Sequence, residues 1–171
     1  MNEHFGAVTF KGGPLTLLGD LPVVGSIAPD FVAISKEFQT VKLSDYKGKV
    51  VVITSVPSLD TPVCDMEIRT FNKKAADLDN DVVILTISAD LPFAQARWCG
   101  GAGIDRVITV SDYREREFGL KYGLLIKELL LLARCVFVVD REGVLCYVQL
   151  VKEVAEEPNY DEVVDAVNSV L

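Results

Sequence analysis

Apolar and polar residues change period several times along the 171-residue chain, and those changes mark its elements. Val8–Lys11 and Pro14–Leu18 flank Gly12-Gly13, a two-residue turn signal that predicts an opening hairpin. Gly19 to Pro29 reads as a turn-rich connection. Phe31–Ser35 and Gln39–Leu43 alternate weakly, as a strand pair does, and lead into the polar turn Ser44–Gly48. Val50 to Val56 is a β-branched run of the kind shown by a strand buried on both faces, and Pro57 stops it. The period then becomes helical: Cys64, Ile68, Phe71, Ala75 and Leu78 share one face. Pro62 suits the first turn, where its missing N–H costs nothing, so Cys64 falls near the helix N-terminus and points inward.

Val82–Ser88 is a second apolar run, and Asp90 with Pro92 predicts a cap and first turn for a short helix through Trp98. Strand, helix, strand, helix implies parallel strands in a sheet covered on both faces, with reactive groups at the strands' carboxyl ends. Further on, Val107–Val110 reads as a strand, and Asp112 as the cap of a helix from Tyr113 to Tyr122 closed by Gly123. Cys135–Val139 and Val144–Leu150 read as a hairpin across Asp140–Gly143, and Asn159 caps a last helix through Val170. Asp65 and Glu67, early in the Cys64 helix, are expected on a solvated face. The run Leu124–Leu132 carries more apolar residues than one helical face needs, which fits either an interface or a fully buried segment. With no repeat, linker or low-complexity segment, residues 1–171 read as one α/β domain.

Composition narrows the function. A chain of this length, half apolar, can bury a sizeable core. Its net charge of −8 argues against nucleic acid and against an anionic membrane surface as partners. No run is long and apolar enough to span a membrane, and the start Met1-Asn2-Glu3-His4 lacks a signal pattern, so a cytoplasmic protein is expected. The four cysteines, at 64, 99, 135 and 146, include no Cys-x-x-Cys pair, and there is one histidine, so no metal site is expected. The thiols are expected to be reduced at rest. His4 reads as a solvated terminal residue, which weighs against a Cys-His hydrolase.

Cys64 itself has two readings from position alone: a small core hydrophobe, or a thiolate favoured by a helix N-terminus. The neighbouring residues add to this. Pro57, Thr61 and Cys64 match the signature Pro-x-x-x-Thr-x-x-Cys, so the sequence resembles the peroxiredoxins. More narrowly it resembles their thiol peroxidase branch, through Cys99 in Arg97-Trp98-Cys99-Gly100 on the next helix, Ala133-Arg134 before a strand, and Gln149-Leu150-Val151 near the end. The resemblance implies a thioredoxin-like fold, with a central mixed β-sheet flanked by helices and an N-terminal β-hairpin. It also implies reduction of hydrogen peroxide and alkyl hydroperoxides without a cofactor.

In that chemistry Cys64 is the peroxidatic residue. Oxidised to a sulfenic acid, it condenses with the resolving Cys99 to an intramolecular disulfide, which a thioredoxin-like dithiol protein reduces. A free thiol of ordinary pKa is only ~3% ionised at neutral pH, so full ionisation gains at most ~30-fold, about 2 kcal/mol. The rest must come from donors aimed at the breaking O–O bond. Thr61 can reach the sulfur from one turn earlier or act as an ordinary N-cap. Arg134 is placed near Cys64 by the resemblance alone. Pro57 shapes the substrate loop and Val63 offers its backbone N–H. Gly100, Gly101 and Gly103 make the Cys99 helix end easy to unwind, as a disulfide requires. Trp98 reads as a packing residue, and Cys135 and Cys146 as structural thiols that depart from the family pattern, with a secondary oxidation or exchange role as their alternative. The family is commonly homodimeric, which favours a homodimer here. A non-enzymatic redox-sensing or binding module is the alternative, and the missing Cys-x-x-Cys weakens a disulfide oxidoreductase.

Overall fold

The computed structural model describes residues 1–171. In chain order its elements are β1 (Glu3–Phe10), β2 (Gly13–Leu18), β3 (Val32–Ser35), β4 (Thr40–Lys42), β5 (Val50–Ser55), α1 (Pro62–Ala75), β6 (Val82–Ser88) and α2 (Pro92–Ala102). They continue through β7 (Val107–Ser111), α3 (Glu117–Lys121), β8 (Leu125–Ile126), β9 (Cys135–Val139), β10 (Leu145–Leu150) and α4 (Tyr160–Asn168). A seven-stranded sheet runs β10-β9-β5-β6-β7-β3-β4, and β1-β2-β8 form a second, three-stranded sheet. The pairs β5/β6 and β6/β7 are parallel, and the flanking pairs antiparallel. The parallel core and mixed sheet are those expected.

Period-2 alternation in β5 and β9 divides their side chains between two cores. Val51, Ile53, Cys135, Phe137 and Val139 face one, with Phe31, Phe118 and Tyr122 and the small sheet's Val8, Leu17 and Ile126. Val50, Val52, Val136 and Val138 face the other, beneath Cys64, Ile68, Phe71 and Ala75 of α1 and Val163 and Val167 of α4. Both faces are covered, so an uninterrupted apolar strand is stable here.

Several boundaries differ from the sequence expectation. The first hairpin turns on Lys11-Gly12, both at positive φ (50° and 80°), and Phe10 pairs with Gly13, which is already in β2. Two consecutive left-handed residues give the twist that a two-residue hairpin needs. His4 belongs to β1, opposite Leu17, with its ring 2.7 Å from Asp20, so the start of the chain is ordered. The expected helix from Tyr113 shrinks to Glu117–Lys121. Asp112 still caps it, but by reaching forward to the amides of Phe118 (3.0 Å) and Gly119 (2.8 Å), while Arg116 sits at φ 52° and blocks an earlier start. In the leucine-rich run, Leu124, Leu125, Ile126 and Leu132 are buried, whereas Leu129 and Leu130 are exposed. No helix is long and apolar enough to cross a membrane.

Candidate active site

The site forms where β5 ends. Thr61 is the N-cap of α1, in extended backbone conformation; its hydroxyl accepts from the Cys64 amide (3.3 Å) and donates to the Ser58 carbonyl (3.1 Å). Its proton is therefore committed to the loop backbone in this state, and the ordinary N-cap role is the one observed. Pro62 occupies the first helical turn, and the amides of that turn lack a carbonyl one turn earlier. Val63, half-buried, is one of them. Pro57 is buried, and Cys64 is completely so.

Antiparallel register brings Arg134 to this point. Ser55, the last residue of β5, pairs with Cys135, the first of β9, and the Ser55 hydroxyl donates to the Ala133 carbonyl at 2.7 Å. The residue before β9 therefore lies beside the turn that follows β5. Arg134 is 1% exposed, and its Nη2 donates to Cys64 Sγ at 3.2 Å. Nη1 pairs with the Glu67 carboxylate, while Nε and Nη2 also donate to the Val154 carbonyl at 3.2 and 3.0 Å. Val154 is itself fixed by its amide to Thr9 of β1 at 2.8 Å. Burial works against the charge of Arg134, but the Glu67 carboxylate and the Cys64 sulfur outweigh it and hold the guanidinium firmly cationic.

Glu67 overturns the expectation of a solvated face: it is fully buried. Burial pushes its carboxyl up to about 7 against the opposing pull of Arg134. The signal was present in the sequence, because Glu67 lies three residues after Cys64 and beside Ile68, on the buried stripe. What the sequence lacked was the partner, which arrives from β9.

Asp90 is a second correction. Helix α2 has Leu91 at its N-cap position with no side-chain cap. Asp90 instead accepts from the Ser58 hydroxyl (2.7 Å), the Leu59 amide (2.8 Å) and the Ser88 hydroxyl (2.8 Å). It thus ties the loop before Cys64 to the end of β6.

Cys99 lies in the last turn of α2, 5% exposed, with Sγ 3.3 Å from the Thr109 hydroxyl. The helix passes Trp98 and runs through Gly100 and Gly101 to a left-handed Gly103. All four cysteines are free. Trp98 does more than pack: its indole donates to Asp65 at 3.1 Å, Asp65 also accepts from Arg69 (2.9 Å), and Arg69 reaches the Ala102 carbonyl (3.3 Å). These bonds clasp the start of α1 to the end of α2. Cys135 is completely buried, which pushes its thiol far up, and Cys146 is raised by the same cause and by Asp140. A cleft of about 260 Å³ between Leu43, Tyr46, Val51 and the β9–β10 turn lies toward the opposite end of β5 from Cys64.

Known proteins match this chain over nearly its whole length. The Redoxin family matches residues 23–164. A thiol peroxidase of Bacillus subtilis (strain 168) is 51% identical over 164 residues, covering 96% of this chain and 98% of the relative. One from Oceanobacillus iheyensis is 54% identical over 161 residues, covering 94% and 98%. Among solved structures, a peroxiredoxin-like protein from Aquifex aeolicus superposes with a TM-score of 0.91 at 45% identity, covering 98% of this chain and 99% of that one. A thiol peroxidase from Chromobacterium violaceum, 19% identical, shares the fold with a TM-score of 0.85 over 95% of each chain. The thioredoxin-like architecture is therefore as expected, and the protein belongs to the Redoxin family, among its thiol peroxidases.

Proposed function

We propose that this protein is a thiol-dependent peroxidase, a single domain over residues 1–171, that reduces hydrogen peroxide and alkyl hydroperoxides through Cys64. The observation that carries the reading is the Arg134 guanidinium 3.2 Å from Cys64 Sγ, in a buried site at a helix N-terminus. A cation there stabilises the thiolate and then the oxygen charge that develops as the O–O bond breaks. Thr61 holds the first turn and turns its hydroxyl to the bound peroxide. Val63 lends its amide, and buried Pro57 limits water.

Attack by the thiolate on the proximal peroxide oxygen expels water or an alcohol once the leaving oxygen is protonated, and leaves Cys64 as a sulfenic acid. Cys99 then displaces hydroxide from that sulfur to form the intramolecular disulfide. Both thiols are buried, so this step requires local opening. The glycine-rich end of α2 is the cheaper element to open. A thioredoxin-like dithiol protein restores the thiols. A chain of this length with four cysteines and no dense disulfide framework suits a reducing, cytoplasmic setting. The exposed Phe38–Phe93 pair (4.8 Å between centroids) with Leu91 offers apolar surface for a homodimer, which sedimentation equilibrium tests directly.

The deciding experiment is peptide mass spectrometry of the reduced protein after one equivalent of hydrogen peroxide. A Cys64–Cys99 disulfide is expected in the natural protein, and sulfenic acid on Cys64 in Cys99→Ser. Oxidation confined to Cys135 or Cys146 would overturn the assignment.

A further inference from the structure

Two acids share one cation at the end of β5. Cys64, Glu67 and Arg134 are all within 1% of complete burial, and Arg134 touches both of the others through different nitrogens. The remaining titratable groups that face Glu67 are Glu157 and Tyr160 at the approach to α4 and Cys135 of β9, and none is a cation. Glu67 Oε2 takes the bond from Arg134; Oε1 is buried with no partner at all. A charged carboxylate seldom leaves a buried oxygen unbonded, because its desolvation is then uncompensated. Were Cys64 and Glu67 both ionised, the buried triad would carry a net negative charge, which a dry site strongly disfavours. Burial already favours the protonated carboxyl, and a thiolate beside the same guanidinium favours it further.

We propose that Glu67 is the site's proton store: it carries a proton on Oε1 while Cys64 is a thiolate and releases it when oxidation removes the sulfur's charge. Arg134 then faces one anion throughout, first the thiolate and afterwards the carboxylate. The balance is simple. Cys64 thiolate, Cys99 thiol, one hydrogen peroxide and one proton give the disulfide and two waters; the sulfurs lose two electrons, and the peroxide O–O bond accepts them. In this protein the proton consumed is matched by the one Glu67 gives up, reaching solvent as the first turn of α1 opens. Glu67 is thereby a positioning and proton-holding residue that does not touch the peroxide. The inference rests on the peroxidatic role of Cys64.

The test is a proton count. Reduced protein and Glu67→Gln, each folded by circular dichroism, receive one equivalent of hydrogen peroxide in weak buffer at about pH 7.5 with an indicator dye. Disulfide yield is measured by mass spectrometry in the same samples. The expected uptake is near zero protons per disulfide in the natural protein and about one in Glu67→Gln. Uptake of about one in both would mean that Glu67 keeps the same protonation state before and after oxidation, and near zero in both that Cys64 keeps its own proton; either overturns the proposal. If the natural protein forms no Cys64–Cys99 disulfide, the peroxidase reading fails instead. Infrared difference spectra of the natural protein locate the stored proton on Glu67 or on Cys64 and complete the test, also where Glu67→Gln does not fold. Loss of a carboxylic-acid C=O band on oxidation is expected, and no change in that band overturns the proposal.

Discussion

The two cysteines assigned to the reaction sit at opposite kinds of helix end. Cys64 is in the first turn of α1, under a satisfied N-cap, above a strand buried on both faces, and bonded to an arginine that is itself held by Glu67 and Val154. Cys99 is in the last turn of α2, where two glycines and a left-handed third follow it and one hydroxyl contacts its sulfur. One end is preorganised around a charge, and the other is a weakly held helix terminus. A reaction that needs an electrostatic site first and a broken helix afterwards requires both, and this fold separates them onto neighbouring helices of one βαβαβ unit.

Removing the charge from the rigid end gives the largest expected effect. Arg134→Met should slow sulfenic acid formation by about 10²–10³-fold, the usual loss for one preorganised donor, as read by stopped-flow fluorescence. Condensation with Cys99, followed separately after the first step, should change far less.

Stability against pH probes the same end. Glu67 ionises near 4.5 in the unfolded chain but only at about 7 in the fold. Between these values the folded state binds more protons, so its stability falls as pH rises. The fall is about 1.4 kcal/mol per pH unit and about 3 kcal/mol across the window. Asp112, raised by burial to about 6, adds a decline with the same sign at lower pH. Urea midpoints of Glu67→Gln should lose the Glu67 part of this slope and keep the Asp112 part.

Stiffening the weak end should act on the second step alone. An added Cβ at Gly100 or Gly101 meets open space, and alanine favours a helix by about 0.5–1 kcal/mol per site. Gly100→Ala with Gly101→Ala should slow disulfide formation by about tenfold and leave sulfenic acid formation unchanged, as quenched-flow mass spectrometry can show. Asp65→Ala should do the reverse on a smaller scale. It removes the bonds to Trp98 and Arg69 that clasp the two helices, worth about 1 kcal/mol, and should speed disulfide formation by about fivefold. Equal responses of both steps to either change would erase the distinction between the two helix ends.

Local patterns were legible wherever one residue type has one dominant physical use. The run Val82–Ser88 is β6 to the residue, Asn159 caps α4 through its side chain, and Pro62 stands at the head of α1. Short polar side chains with several nearby donors were not legible. Asp90 and Asp112 both satisfy backbone amides, but Asp90 turns to Ser58 and Leu59 and Asp112 reaches six residues forward, choices made by folded neighbours. Glu67 shows the same limit on the buried stripe, since the charge that makes its burial tolerable comes from Arg134, 67 positions away.

By itself, then, the sequence determined most of the strands and helices, the position of Cys64 at a helix start and the glycines beyond Cys99, because these depend on backbone preferences and side-chain period within a few residues. The tertiary structure alone decided that Arg134 meets Cys64 and Glu67. That contact depends on the antiparallel register of β5 with β9, and a low-dielectric interior, absent from any local stretch of chain, makes one cation between two acids a chemical site.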